Sequence, residues 1–600
     1  MAPPSSNTSS AALQQAQQHY SSGDLAGARQ ILQRALTRDA GNADLNYLMG
    51  GVLCDLGEYS TAVFFIERAA AVAKDHPIVQ ALLGEARMFA GDAKGARAAL
   101  GRAITIDPAA HAARLNLSLI EQHEGNSAAA EAQLREILRH DDTHDGAAAN
   151  LAGILLDSGR AHEAWDLLVT LESRKGPTQH TARMLATIAN YLPSLTAQQV
   201  SGRHRRFGEL LEAAIAPMPV AGPAVGASAS AAPGTRPLRV GIMSPDFRQH
   251  SVSFFIEPVL RHRDKAAIHL IAYSSTQEKD ATTARVKPLF DQWHDIGTLG
   301  DAMLARRIRD DKIDVLLDLA GLTHGGRPSV LAVRPAPLSI TYCGYPNTTG
   351  LSRVDHRIVD AITDPAGTDD VCTERLIRLP HCFLCYSGDD AAPRFTHVAS
   401  SQAGHITFGS FNVLSKVNDA TLDLWARVLA AVPQSRLLIK ARSLDDAGTR
   451  ERLTAALAAR GIAERTELLA HTKTLSEHLA TYNRVDVALD TWPYNGTTTT
   501  CESLWMGVPV VTLTGTTHAS RVGASLLTAL GLTDLIAPEG DTFVRAASAL
   551  ALDTSTRTTL LTTLRDRMKS SPLCDAPSFA ARFWGAVTHT YDTHRAEATP

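Results

Sequence analysis

What this chain lacks narrows the field before any motif is considered. None of its apolar runs reaches the roughly 18 residues that would span a bilayer, so no membrane segment is expected. Met1 to Ser10 is small and polar, with neither a basic stretch nor an apolar one. Export by a standard signal is therefore not expected, and the chain reads as cytoplasmic. A formal net charge of −4 over 600 residues gives no sign of a nucleic-acid partner, which usually needs a concentrated basic face. The seven cysteines are an odd, scattered set and read as reduced thiols. Cys382 and Cys385 make a C-x-x-C, but no second ligand pair or helix start accompanies it, so the pair reads as core filler. Also missing are the P-loop, G-x-G-x-x-G, G-x-S-x-G and H-E-x-x-H sequences. There is no D-x-D either, the carboxylate pair that usually carries a divalent cation to a diphosphate. Any diphosphate handled here must be held by fixed protein charge and dipoles; no metal and no cofactor is expected.

What is present begins with a repeat. Glycines fall at Gly23, Gly57, Gly91, Gly125 and Gly159, each 34 residues after the last. Ala28, Ala62, Ala96, Ala130 and Ala164 keep the same step, and Ala35, Ala69, Ala103, Ile137 and Leu171 form a third register. A 34-residue period of this kind describes a helix, a turn at positive φ and a second helix. The alanines mark places where helices cross closely. The pattern resembles the tetratricopeptide repeat (TPR) and covers residues 9–176, after a tail at 1–8 expected to be disordered. Five stacked pairs would form a superhelix with a groove. Asn116 and Asn150 hold equivalent places in adjacent repeats, where side-chain amides can grip the backbone of an extended protein segment. Gln14, Leu48 and Leu82 stand there in earlier repeats, so any such ladder is short.

A helical connector is expected over 177–215, then a linker rich in Ala, Pro, Gly and Ser over 216–237. From Leu238 short apolar runs alternate with helical stretches. Strands are expected at 238–244, 269–274, 313–320, 338–344, 405–411, 435–441, 485–490 and 509–513. The alternation predicts two doubly wound, Rossmann-like α/β lobes, at 238–395 and 404–574, and a closing helix with tail at 575–600. Ligands of such sheets bind beyond the C-terminal ends of the strands.

VDVALDTWPYNGTTTTCESLWMG, residues 485–507, is the most informative stretch. A strand ends near Asp490, Asn495 and Gly496 make a turn, and Thr497, Thr498, Thr499 and Thr500 open a helix. That arrangement aims backbone N–H groups, a helix dipole and hydroxyl donors at one point, as a phosphate requires. Ordinary N-capping by threonine is the plainer alternative. Glu502 lies in the first turns, where a carboxylate can accept from two ribose hydroxyls. Lys416, after the strand HITFGSF, can neutralise a departing diphosphate, or else is a solvated surface lysine.

Four long segments in one order carry a resemblance. They are RVGIMSPDFRQHSV, DLAGLTHGGRPSVLAVRPAPLSITYCGYPNTTG, FGSFNVLSKVNDATLDLWARVL and LDTWPYNGTTTTCESLWMGVPVVTLTGTTHASRVGASLL. Together with the preceding repeats they are similar to the protein O-GlcNAc transferase family, from about Arg239 to Ala537. The resemblance implies a GT-B fold, UDP-GlcNAc as donor, protein Ser or Thr as acceptor and inversion without metal. It aligns Lys416 with the family's diphosphate lysine, Thr498 and Thr499 with its phosphate threonines and Glu502 with a ribose-binding acid. His478 aligns with a histidine lying against uracil, and His250 with an active-site histidine once favoured as the base. Gly344, Tyr345 and Pro346 align with a turn lining the donor pocket. Thr497 stands where animal members have histidine, Val413 replaces a polar nucleotide contact, and Leu322 replaces a histidine of several bacterial relatives, with His324 close by.

An inverting transfer needs in-line attack, a proton acceptor and leaving-group stabilisation. Lys416 and the threonine helix start fit the last role, and His250 the second. Arg327 and Arg334 are candidates for substrate contact, or for pinning a loop between the lobes. The expected partners are a nucleotide sugar and protein acceptors delivered along the TPR groove. Two rivals remain: a GT-B enzyme with another nucleotide sugar or a non-protein acceptor, and a non-catalytic TPR adaptor.

Overall fold

The computed structural model describes residues 6–218 and 236–597, with side chains from Ser9. Residues 219–235 of the expected linker and Met1–Ser5 of the expected tail lie outside the described residues. The first helix, Ser6–Ser21, begins inside the span expected to be a tail. The chain forms two compact units, residues 1–154 and 155–600.

In the first unit helices pair as the 34-residue period demands: Ser6–Ser21 with Leu25–Leu36, Ala43–Asp55 with Tyr59–Val72, Pro77–Phe89 with Ala93–Ile106, and His111–His123 with Ser127–His140. Gly23, Gly57, Gly91 and Gly125 all sit at φ between +76 and +86°, the region that only glycine enters without strain. Ala28, Ala62, Ala96 and Ala130 are all fully buried at the helix crossings. A fourth register, unnoticed in the sequence, explains the tightness. Gly50 and Gly84 are also 34 apart, and a Cβ on either would run into the side chain of Ile66 or Leu100. Asn116 and Asn150 are half-buried on their helices, and among the described residues neither amide has a hydrogen-bond partner.

The second unit opens with helix Ala161–Lys175 and the connector helices Gln179–Ala189 and Ala197–Ala214. Two parallel sheets follow. The first holds β1 (Leu238–Ser244), β2 (Ile268–Ser274), β3 (Gln292–Asp295), β4 (Val315–Asp318), β5 (Leu338–Thr341), β6 (His356–Asp360) and β7 (Arg375–Leu379), in the order β3-β2-β1-β4-β5-β6-β7. The second holds β8 (Thr407–Ser410), β9 (Arg436–Lys440), β10 (Thr466–Leu469), β11 (Val487–Leu489), β12 (Val510–Leu513) and β13 (Ile536–Ala537), in the order β10-β9-β8-β11-β12-β13. Strand order reverses between β1 and β4 in one lobe and between β8 and β11 in the other, and a crevice opens at such points. The eight expected strands all form. The five that were not expected are β6 and the four edge strands, which are short or interrupted by polar and half-solvated residues.

The connector is welded to the first lobe through glycines. A Cβ on Gly208 would collide with the carbonyl of Gly350, and one on Gly350, at φ +77°, with the carbonyl of His204. The closing helix, Ala576–Glu597, returns to the first lobe, where Trp584 Nε1 donates to Val259 O at 3.0 Å and the Tyr591 hydroxyl to Asp314 Oδ1 at 2.9 Å. The lobes also meet at the C-terminal ends of β6 and β12. There His518 Nδ1 lies 2.5 Å from Asp364, and the Ser525 hydroxyl donates to Asp360 at 2.6 Å. Cys382 and Cys385 are buried and unpaired, as core filler would be.

Candidate active site

The C-terminal lobe builds a cradle from the two loops that flank its switch point. β11 ends at Leu489, and Asp490 then folds the following loop around its carboxylate. Its Oδ1 accepts from Gly496 N at 2.7 Å and Thr491 N at 2.8 Å, and its Oδ2 from the Thr512 hydroxyl at 2.7 Å. Burial pushes this carboxyl up to about 6, against the pull of those donors and Lys416. Asn495 is fully buried and structural, donating to Thr491 O at 2.8 Å. A Cβ at Gly496 would fall 2.6 and 2.7 Å from the hydroxyls of Thr499 and Thr500, so only glycine lets the chain turn this closely.

Helix Thr498–Trp505 starts immediately after. Thr497 occupies its N-cap position without a side-chain capping bond. Thr499 donates to Asn412 Oδ1 at 3.0 Å. The Thr498 hydroxyl oxygen is buried with no partner, which a folded protein seldom tolerates without a use for the group. Lys416 arrives from the loop after β8. Its Nζ donates to Asn495 O at 2.8 Å and lies 3.9 Å from the centre of the Tyr494 ring. Burial lowers the ammonium to about 8, with Asp490 opposing. A lysine, a helix start and an orphaned hydroxyl therefore share one place, the arrangement that receives an anion.

Beside the cradle lies a second cluster. Glu502 is nearly buried, and its Oε2 lies 3.0 Å from His478 Nε2. His478 Nδ1 in turn lies 2.6 Å from the Nζ of Lys440, which also donates to the Thr472 hydroxyl at 3.1 Å. Phe411 and Tyr482 box the imidazole edge-on, with ring centres 5.9 and 5.7 Å away. Val413 is exposed and offers no polar side chain.

In the N-terminal lobe His250 caps helix Ser251–Arg261 by accepting from Val252 N at 3.3 Å through Nδ1. Asp246 Oδ1 lies 3.5 Å from the same nitrogen. Burial lowers the imidazole and raises the carboxyl, each opposed by the other. Asp318, at the end of β4, is fully buried and pushed up to about 6 by that burial while accepting from Gly321 N at 2.7 Å. Gly344 is dictated by contact, since a Cβ there would strike the carbonyl of Leu319.

Other residues stand apart from the expectations. The Tyr345 ring turns into the connector, its hydroxyl 2.7 Å from His204 Nε2 and 3.0 Å from Asn190 Nδ2. The Tyr345 side chain is thus unavailable to a ligand, while Gly344 and Pro346 remain partly exposed. The Arg327 guanidinium is occupied by Asp301 Oδ1 at 2.7 Å and by two backbone carbonyls, which makes it a loop anchor. Arg334 likewise pairs with Asp355 at 2.7 Å. Leu322 is buried and His324 exposed. The sequence reading missed Asp490, Lys440, Thr472, Asn412 and Asp246. Asp490 closes one expected strand and Lys440 lies one residue inside the end of another, a position shared with ordinary solvent-facing charges.

A TPR array followed by two doubly wound lobes, with a lysine and a helix start brought together at the switch point of the second, describes the two-lobed GT-B fold. Residues 223–403 and 400–583 match glycosyl transferase family 41, and residues 19–86 match a tetratricopeptide repeat family. The chain belongs to glycosyl transferase family 41. It is 43% identical over 350 residues to the Arabidopsis thaliana protein named probable UDP-N-acetylglucosamine--peptide N-acetylglucosaminyltransferase SPINDLY, covering 58% of this chain and 38% of that one. It is 29% identical over 352 residues to the Arabidopsis thaliana protein of the same description called SEC, covering 57% of this chain and 36% of that one. The chain thus spans well under half the length of these relatives. A solved mutant of Thermobaculum terrenum O-GlcNAc transferase superposes with a TM-score of 0.79 at 32% identity, covering 87% of this chain and 98% of that one. Among the described residues no helix is long and apolar enough to cross a membrane.

Proposed function

We propose that this chain transfers N-acetylglucosamine from UDP-GlcNAc to serine or threonine hydroxyls of proteins, with inversion and without a metal ion. One observation carries the reading: the Lys416 ammonium rests on the Asn495 carbonyl, 2.8 Å away, beside a helix start whose Thr498 hydroxyl is buried and unpartnered. An ammonium, backbone N–H groups and hydroxyls at one point stabilise a leaving diphosphate as it gains charge. No D-x-D pair supplies an alternative. The names of the relatives, which describe transfer from UDP-N-acetylglucosamine to peptides, support the donor and acceptor.

His250 takes the acceptor proton in this reading. Exchanging its long capping bond from Val252 N–H for an Nδ1–H directed at Asp246 frees Nε2 as the base. The Asn116 and Asn150 amides hold the acceptor segment by its backbone. Incubation of the full chain and candidate proteins with UDP-GlcNAc, UDP-glucose and guanosine diphosphate sugars in turn, followed by mass spectrometry, tests the proposal. A mass increment on serine or threonine from UDP-GlcNAc alone supports it. Transfer from a different donor overturns the sugar assignment, and nucleotide release into water alone overturns the protein acceptor.

A further inference from the structure

The Lys440–His478–Glu502 chain has one chemical consequence that its members do not have singly. A protonated lysine amine has hydrogens to give and no lone pair. Placed 2.6 Å from His478 Nδ1, it compels that nitrogen to accept, so the neutral ring carries its proton on Nε2. Nε2 faces Glu502 Oε2 at 3.0 Å, and that oxygen is thereby occupied. Glu502 Oε1 has no hydrogen-bond partner among the described residues. Thr472 takes a second ammonium hydrogen at 3.1 Å, and the Phe411 ring lies 5.8 Å from the same nitrogen, so the amine is held in place. Burial lowers the Lys440 ammonium, with Glu502 opposing.

We propose that Lys440 is a positioning residue for the nucleotide: by fixing His478 as the Nε2–H tautomer it makes Glu502 present one free carboxylate oxygen to the ribose diol. The ligand half of this proposal rests on the reading of the lobe as a nucleotide site. The tautomer half stands on the protein alone. Lysine at the C-terminal end of β9, threonine after β10, histidine on helix Leu475–Thr481 and glutamate on helix Thr498–Trp505 converge from four elements. Such convergence is hard to account for as surface charge. In its absence the imidazole is free to turn its Nδ1–H tautomer, and the carboxylate loses its orienting donor.

The test compares wild type with Lys440→Met and Lys440→Arg in the full chain. Nitrogen-15 NMR of the ligand-free protein, with His478→Gln to assign the resonances, reads the tautomer directly. Calorimetric titration with UDP and 2′-deoxy-UDP, and with GDP and 2′-deoxy-GDP, reads the diol contact whichever base the site prefers. The wild type is expected to be Nε2–H and to bind the ribonucleotide about tenfold or more tightly than its deoxy partner, the scale of one hydrogen bond to a carboxylate. In Lys440→Met the discrimination should fall toward one while the diphosphate still binds, and Lys440→Arg should restore much of it. An Nδ1–H tautomer in the wild type overturns the proposal, as does undiminished discrimination in Lys440→Met. If neither nucleotide binds the wild type, the nucleotide reading fails and the ligand half with it, while NMR still decides the positioning half.

Discussion

Replacing Lys416 with methionine should stabilise the fold at neutral pH, because the fold bears a penalty for this charge, and should slow transfer severely. Burial brings the ammonium from its ordinary 10.5 down to about 8. At roughly 1.4 kcal/mol per pH unit this is a penalty of up to about 3 kcal/mol for holding the charge in the folded chain. Solvent reaches part of the side chain, and its contacts with Asn495 O and the Tyr494 ring return about 1–2 kcal/mol. The net gain expected for Lys416→Met at pH 7 is therefore about 1 kcal/mol. The sign of its pH dependence follows from a folded value lowered below the unfolded one. Between about 8 and 10.5 the unfolded chain binds the extra proton, so wild-type stability rises with pH across that window. Below about 8 the penalty is in full force, and by 10.5 it has gone. Urea unfolding of both proteins at pH 7 and pH 10.5, followed by tryptophan fluorescence, should show the variant losing roughly 1–3 kcal/mol of its relative stability over that span. Activity should move the other way. Loss of one preorganised charge at the leaving group costs about 10²–10³ in kcat. Wild-type kcat/KM should also fall above pH of about 8 as the free enzyme loses the proton. A variant that is less stable at pH 7 by as much as it is at pH 10.5, or that turns over normally, would refute the reasoning.

Thr498→Val removes a buried hydroxyl that bonds to nothing, so stability should hold within about 0.5–1 kcal/mol while UDP affinity falls about tenfold; calorimetry and thermal unfolding check both halves. Gly208→Ala drives a Cβ into the Gly350 carbonyl and should cost roughly 1–3 kcal/mol or more, read as a lower Tm, with no change in the tautomer of His478. Asn116→Ala combined with Asn150→Ala should raise KM for protein acceptors about tenfold, several lost amide contacts at the usual scale, and leave UDP affinity alone. A chelator should leave turnover unchanged in a radiolabel-transfer assay; strong inhibition that added Mg²⁺ or Mn²⁺ reverses would end the ammonium-for-metal account.

The eight expected strands are apolar runs buried in the two sheets, where β-branched and leucine side chains are needed on both faces. The edges, Gln292–Asp295, Arg375–Leu379, Thr466–Leu469 and Ile536–Ala537, are half-solvated or too short, and a short or charge-interrupted run cannot announce a strand whose identity comes from its neighbour. The same logic divides the site. That Lys416 lies beside the threonine helix start was legible, because a hydroxyl-rich helix start directly after an apolar strand has a local chemical signature. Lys440 and Asp490 were not, since a charged residue ending an apolar strand looks alike whether it faces solvent or organises a loop.

The chain order alone was enough to determine the repeat, since a 34-residue step in glycine and alanine is a local demand of the turn and the crossing. It also determined the two α/β lobes, because the alternation of buried strands and helices is written along the chain. Only the tertiary structure decided which side chains are still available. Arg327 and Tyr345 look like ligand contacts in sequence yet are bonded to Asp301 and to His204 and Asn190, from segments 26 to 155 positions away. Lys440, His478 and Glu502 look unrelated yet form one hydrogen-bonded line. Hydrogen bonds saturate, and which partner reaches a group first is settled by packing across the sheet, not by neighbours along the chain.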